Sequence, residues 1–185
     1  MFEKFYPKEY LSSAYCIDYE YFYSSGYRGI LFDIDNTLVK HDAPADERSI
    51  ELFDKLRAMG FSTCLISNNY DKRTAPFAEA VSSSFLSRCH KPSPEGYLKA
   101  CEIMGTDSTN TLMVGDQVFT DIWGANNAGI YSVLTKPIDK DPLFKIKLKR
   151  VGEKIVLLFY KGYSRRHKNT EVLHIRDCNN QKRIN

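Results

Sequence analysis

Two aspartates, Asp33 and Asp35, stand two residues apart in Gly29-Ile30-Leu31-Phe32-Asp33-Ile34-Asp35-Asn36-Thr37-Leu38, directly after a short apolar run. A carboxylate can attack phosphorus and form an aspartyl phosphate, dividing one hard hydrolysis into two easier steps. A second carboxylate reaching the same point can protonate the leaving alcohol and then deprotonate the water that clears the intermediate. Taken alone, acids in this position are more often turn and cap residues. Three further groups follow at intervals of 34, 24 and 25 residues, beginning at Ser67, Lys91 and Asp116. Ser67-Asn68 offers a hydroxyl and backbone N–H groups to phosphate oxygens, or simply a turn and helix cap. Lys91, in His90-Lys91-Pro92, could be a fixed cation beside a transferring phosphoryl group, although a lysine in a loop is ordinarily a solvated charge. Asp116, with Asp121 five residues on, supplies hard oxygen ligands of the kind Mg²⁺ takes alongside phosphate chemistry; the alternative is capping and dipole contact at a helix start.

The elements that must position these groups are strands alternating with helices. Gly29–Phe32 reads as a strand buried on both faces. Residues 46–59 carry Ile50, Phe53, Leu56 and Met59 at helical spacing, with Gly60 placed to end the helix. Phe61–Ile66 is a second strand, and a helix is predicted from about Arg73 to Val81, starting late because of Pro76. A weak strand at Ser84–Leu86 precedes a helix from Ser93 to Met104, opened by Ser93-Pro94-Glu95. Thr111–Val114, a helix over 119–128 and Ile130–Leu134 complete the alternation. The rhythm implies an α/β fold with an open parallel sheet and right-handed crossovers. Ligands in such sheets bind beyond the carboxyl ends of the strands, where Asp33, Ser67 and Asp116 all fall.

The 185 residues, 43% hydrophobic and 26% charged, suffice for one core, and no stretch reaches the ~20 apolar residues of a membrane span. The start of the chain lacks signal-peptide features. Five scattered cysteines without a CxxC pair argue against zinc and against a disulfide framework, and point to a cytoplasmic setting. The net charge of +3 is uneven: residues 1–135 hold 12 basic against 18 acidic side chains, residues 136–168 hold 11 against 3. An acidic body thus precedes a strongly basic segment, a polarity that calls for a partner.

With the four groups in register, the sequence resembles the haloacid dehalogenase-like (HAD) phosphatase superfamily over about residues 29–135. DIDNTL corresponds to its first motif, Ser67 to the second, Lys91 to the third and GDQVFTD to the fourth. The resemblance implies a Rossmann-like three-layer sandwich with strand order 5-4-1-2-3. It implies Asp33 as nucleophile, Asp35 as general acid/base, and Lys91 as a catalytic and phosphate-binding cation. Thr37, Ser67 and Asn68 would join Lys91 in holding the substrate. Mg²⁺ would be held by Asp33, the backbone carbonyl of Asp35 and Asp116, with Asp121 acting indirectly or through water. A finer similarity, in the lead-in from Phe5, in ISNN, KPSPEGY and GDQVFTDIWGANNAGI, is to the YqeG-like branch of subfamily IIIA, related to mitochondrial and plastid phosphatidylglycerophosphatases.

Only 28 residues separate Leu38 from Ser67 and 23 separate Ser67 from Lys91, so neither gap has room for a cap domain. An open site favours substrates attached to something large: a lipid head group, a protein or a nucleic-acid end. The resemblance makes phosphatidylglycerophosphate the leading candidate, with a soluble metabolite as the alternative. Over 143–160, Phe144, Leu148, Val151, Ile155 and Leu158 fall at helical spacing among lysines. Such a helix can lie on anionic lipid at the inner face of a membrane, or pack its stripe on the sheet behind a solvated basic face. The tyrosines between Tyr6 and Tyr27 could form an interfacial belt or pack over a sheet edge. The expected organisation is one domain over 1–163, with a lead-in at 1–28 and a flexible tail at 164–185. An RNA- or ribosome-bound adaptor is the reading from another class; no aromatic–basic platform for a nucleic acid is present, and oligomeric state is not encoded legibly.

Overall fold

The computed structural model describes residues 3–139, 152–160 and 162–163. Six strands, β1 (Glu9–Leu11), β2 (Gly29–Phe32), β3 (Ser62–Ile66), β4 (Ser84–Leu86), β5 (Thr111–Gly115) and β6 (Tyr131–Thr135), form one sheet in the order β1-β6-β5-β2-β3-β4. All five pairings are parallel. The last five strands of that order are the expected 5-4-1-2-3 arrangement. The edge strand β1 was not foreseen: three residues inside a tyrosine-rich lead-in carry no legible alternation.

Strand periodicity sorts the core into two faces. Ile30 and Phe32 of β2, Leu65 of β3, and Leu112 and Val114 of β5 point to one side. There they meet Leu52, Phe53 and Leu56 of α2 (Glu47–Met59), Phe77 and Ala78 of α3 (Asp71–Ala80), and Tyr19 and Phe22 of α1 (Tyr19–Ser24). Leu31, Cys64, Ile66 and Met113 point to the other side, against Tyr97, Ala100 and Cys101 of α4 (Pro94–Met104) and Ala125 of α5 (Trp123–Asn127). The result is the expected three-layer sandwich. Between Leu38 and Ser67 lie only α2 and β3, and between Ser67 and Lys91 only α3 and β4, so neither interval carries a cap.

Local sequence explains most boundaries. Asp46 and Ser49 form a reciprocal capping box at the start of α2, and Gly60 ends it in the left-handed region at φ 95°. α3 departs from expectation: it begins at Asp71 and contains Pro76 rather than starting there. Burial of Thr74, Phe77 and Ala78, and the tie from Arg73 to Asp35, outweigh the one hydrogen bond that proline removes. At α4, Ser93 occupies the N-cap position without a side-chain capping bond. The helix expected over 119–128 is split into a π-helical turn, Val118–Ile122, and α5. π turns of this kind are frequent at functional sites.

The tyrosines of the lead-in pack rather than form a belt: Tyr19 lies against Phe32 and Phe61, Tyr23 against Phe61, and Tyr27 against Phe22 and Tyr131. Cys64, Cys89 and Cys101, all buried, are free thiols. Of the basic helix, residues 152–160 are helical. Glu153 and Val156 are buried, while Ile155 and Leu158, the described members of the expected stripe, are 53% and 69% exposed. The stripe therefore does not face the sheet in this part. Residues 143–151 and 164–185 lie outside the described residues, and with them the rest of that helix and the tail. No described helix is long and apolar enough to cross a membrane.

Candidate active site

Asp33 emerges from the end of β2, its N–H bonded to the Val114 carbonyl of β5 at 3.0 Å. Beyond it, the chain turns back on itself through Asn36, which is left-handed at φ 64°. The turn is closed by Asn36 N–H donating to Val39 O at 2.7 Å and Val39 N–H donating to Ile34 O at 3.3 Å; neither bond uses the Asp35 carbonyl. From outside, the Tyr15 hydroxyl pins the turn by donating to Leu38 O at 2.7 Å. Thr37 is buried in the turn, its hydroxyl 3.5 Å from Asp33 Oδ2 and 3.4 Å from Asp116 Oδ1.

Lys91 is the hub. Its Nζ, buried at the site, donates to Asp33 Oδ1 at 2.6 Å, Asp121 Oδ1 at 2.8 Å and the Ile66 carbonyl at 3.1 Å, using all three ammonium protons. Burial works against this charge, but Asp121 and Asp33 outweigh it and hold the ammonium well above the ordinary lysine range. Burial pushes the Asp33 carboxyl up to about 7, opposed by Lys91 and reinforced by Asp121. The lysine backbone is fixed as firmly as its tip. The Asn68 amide accepts from Lys91 N–H at 2.7 Å and donates to Lys91 O at 3.1 Å, and the Lys91–Pro92 peptide is cis. Asn68 was expected to touch substrate; its side chain is already committed to Lys91. The Ser67 hydroxyl is buried at the end of β3 and accepts from Asn69 N–H at 3.0 Å.

Asp116 directly follows β5, and Asp121 lies fully buried in the π-helical turn, its Oδ2 accepting from Gln117 N–H at 3.0 Å. A Cβ on Gly115 would come within 2.5 Å of the Asp121 carboxylate, so glycine is what lets the two segments approach. The Tyr97 hydroxyl donates to Thr120 O at 2.8 Å beneath the turn, and Val118 N–H donates to the buried Glu153 Oε1 at 2.8 Å at its start. Glu153 was missed in the sequence, where it appears as one acid among lysines.

Carboxylate oxygens of Asp33, Asp116 and Asp121 lie within 4.8 Å of one another, all in buried residues. The donors are hard carboxylate oxygens set close together in a buried place, so the set fits a divalent cation such as Mg²⁺. A second group, Asp35, His41 and Asp42, is more exposed and already engaged by Arg73. Asp35 accepts from Arg73 and Asn69 side chains and from Asp42 N–H, each at 2.9 Å. Asn69 and Arg73 follow Ser67 in the ISNNYDKR run, which is the signal that could have exposed them.

Comparison with known proteins agrees with this arrangement. A family model described as haloacid dehalogenase-like hydrolase matches residues 41–129. The probable phosphatase YqeG of Bacillus subtilis (strain 168) is 30% identical over 159 residues, covering 85% of this chain and 92% of that protein. The chain belongs to the haloacid dehalogenase-like hydrolases. The phosphatidylglycerophosphate phosphatase 1 of Arabidopsis thaliana is 31% identical over 134 residues, 67% of this HAD-like chain but only 38% of that longer protein. Among solved structures, a HAD family hydrolase from Deinococcus radiodurans R1 superposes with a TM-score of 0.52 at 16% identity, covering 69% of this chain and 89% of that one. That likeness speaks for the fold. The phosphatase names of the sequence relatives accord with the expectation of a phosphatase-type member.

Proposed function

We propose that the protein is a Mg²⁺-dependent phosphomonoester hydrolase acting through an aspartyl phosphate on Asp33, with phosphatidylglycerophosphate as the leading substrate. The observation that carries this reading is the convergence of Asp33, Asp116, Asp121 and Lys91 around one buried point at the carboxyl ends of β2 and β5. Asp33 and Asp116, with the Asp35 carbonyl, would hold the metal. Asp121, both of whose oxygens are engaged, would act on it indirectly. When bound, the metal supplies charge stabilisation for the phosphoryl oxygens.

The chain's own residues supply the rest. Lys91 holds Asp33 Oδ1, fixing the rotamer of the nucleophile and placing a positive charge where negative charge grows in the transition state. Asp33 attacks phosphorus, the bond to the alcohol oxygen breaks, and Asp35 delivers a proton to that oxygen. Asp35 then takes a proton from the water that hydrolyses the acyl phosphate and regenerates Asp33. Arg73 and Asn69 keep Asp35 in place beside the turn. Thr37 and Ser67, both buried beside the nucleophile's strand end, orient the phosphoryl oxygens.

For the substrate, the support is the capless site, the named relatives that act on phosphatidylglycerophosphate, and the exposed Ile155 and Leu158 on a helix within a basic segment. Anionic lipid attracts such a segment by ~1 kcal/mol per basic residue near the surface. The test is phosphate release from phosphatidylglycerophosphate in vesicles against a panel of soluble esters, with and without Mg²⁺, using the wild type and Asp33→Asn. Metal-dependent release that vanishes in the variant is expected. Release undiminished in Asp33→Asn would overturn the mechanism, and equal turnover of soluble esters without vesicle binding would overturn the lipid assignment.

A further inference from the structure

Beside the reaction centre lies a groove of about 510 Å³ walled by Asn68, Tyr70, Arg88, His90 and Lys91. Asn68 and Lys91 belong to the centre already described, whereas Tyr70, Arg88 and His90 have no part in it. Arg88, like Arg48 over Tyr15, rests on a tyrosine ring, and it does so at this groove. Arg57 and Arg73 pair with acids, and Arg28 donates to two carbonyls. Arg88 forms no ion pair among the described residues, and its guanidinium rests 4.6 Å from the ring centroid of Tyr70, itself 66% exposed. The stacking holds the fork beside the groove without neutralising it.

The backbone is shaped to the same end. Arg88 and His90 both lie in the left-handed region at φ 51°, a conformation that costs ~1–2 kcal/mol for a residue with a side chain. Between them Cys89 is buried, while Arg88 and His90 are exposed. Neighbouring bonds hold the segment: Arg88 N–H to Asn69 O, Cys89 N–H to Ser67 O, and Lys91 N–H to the Asn68 amide. A strained segment determined by its surroundings, carrying cationic and donor side chains up to a catalytic lysine, is a pattern found at ligand clamps.

We propose that this groove binds a second anionic group of the substrate, a phosphodiester or phosphate borne by the alcohol portion, with Arg88 as its forked donor and His90 as a further N–H donor. The proposal rests on the monoesterase reading above and narrows it. Substrates are phosphomonoesters whose leaving alcohol carries a second phosphate, whether in a lipid head group or in a soluble diester.

The test compares kcat/KM for glycerophosphoglycerophosphate, which has the diester, with that for glycerol 3-phosphate, which lacks it. The wild type should prefer the former by about 10- to 100-fold, the range of a charged hydrogen bond. Arg88→Asn, chosen because asparagine tolerates the left-handed backbone, should bring the ratio towards one, and Arg88→Lys should restore it only in part. An unchanged ratio, or a wild type without preference, overturns the proposal. With phosphatidylglycerophosphate in vesicles as a third substrate, a matching fall assigns the groove to the lipid head group. A fall on the deacylated ester alone assigns it to a soluble diester. Should no ester be hydrolysed, the monoesterase reading fails, and the groove is judged by binding instead. Glycerophosphoglycerol, which has no monoester, should shift Tyr70 resonances in the wild type and in Asp33→Asn but not in Arg88→Asn. Absence of any shift overturns the anion site.

Discussion

Replacing Asp33 with asparagine should stabilise the metal-free protein at neutral pH while removing its activity. The carboxyl is pushed up to about 7 in the folded chain, from 3.8. A carboxyl whose folded value is raised binds its proton more tightly folded than unfolded. Its contribution is therefore most favourable below pH 4 and is lost as pH rises towards 7. At ~1.4 kcal/mol per unit, the loss across that window is on the order of 4 kcal/mol. Asparagine copies the shape of the protonated form and cannot ionise, so it escapes the loss. The variant should match the wild type near pH 4 and exceed it increasingly up to about pH 7.5, where the curves become parallel. For a chain of this length ~1 kcal/mol moves Tm by roughly 2–4 °C, so a gap of that order is readily measured.

The assay is urea denaturation of both proteins in chelator from pH 4.5 to 8.5, repeated in MgCl₂. Other titrating groups are common to both chains and cancel in the difference. Magnesium at 100 times its Kd should add ~2.7 kcal/mol to the wild type and less to the variant, closing much of the gap. A difference that stays flat with pH would refute the reasoning. So would a variant less stable throughout, since the loss of the Lys91 partner would then outweigh the relief of burying a charge.

Two other substitutions probe the scaffold of the site. Gly115→Ala places a methyl group 2.5 Å from the Asp121 side chain and should cost ~1–3 kcal/mol in chemical denaturation, with weaker activation by Mg²⁺ in the same protein. Glu153→Ala leaves the buried Val118 N–H without its acceptor and should cost ~1–3 kcal/mol; Glu153→Gln, which keeps an acceptor oxygen, should recover most of it, as urea midpoints would show.

The sheet was legible because β2 and β5 are runs buried on both faces and β3 becomes one over Cys64, Leu65 and Ile66, each followed by a polar residue of the site. Those strand ends gave Asp33, Ser67 and Asp116 directly. What holds these residues was less legible, because the partners are distant in sequence. Asp35 meets Asn69 34 residues on and Arg73 38 residues on, and only the parallel pairing of β2 with β3 makes them neighbours. Pro76 argued for a late start to α3, a local rule outweighed by tertiary contacts that no local window contains, among them the bond from Arg73 to Asp35.

The basic segment shows the same limit in another form. Helical spacing predicts a helix over 143–160, of which the described residues 152–160 are helical, but it could not say which face would be buried. An apolar stripe is expected to pack inward; here Ile155 and Leu158 are exposed, and Glu153 enters the core beside Val156. An acid takes that place because Val118 N–H, at the start of the turn that carries Asp121, lies among buried residues and needs an acceptor. Satisfying that one backbone donor costs less than leaving it bare, and the bond ties the helix to the segment of the site that bears Asp121. The apolar residues left outside are then available to whatever the basic segment meets. For a phosphatase of lipid head groups, that partner would be the surface on which its substrate lies.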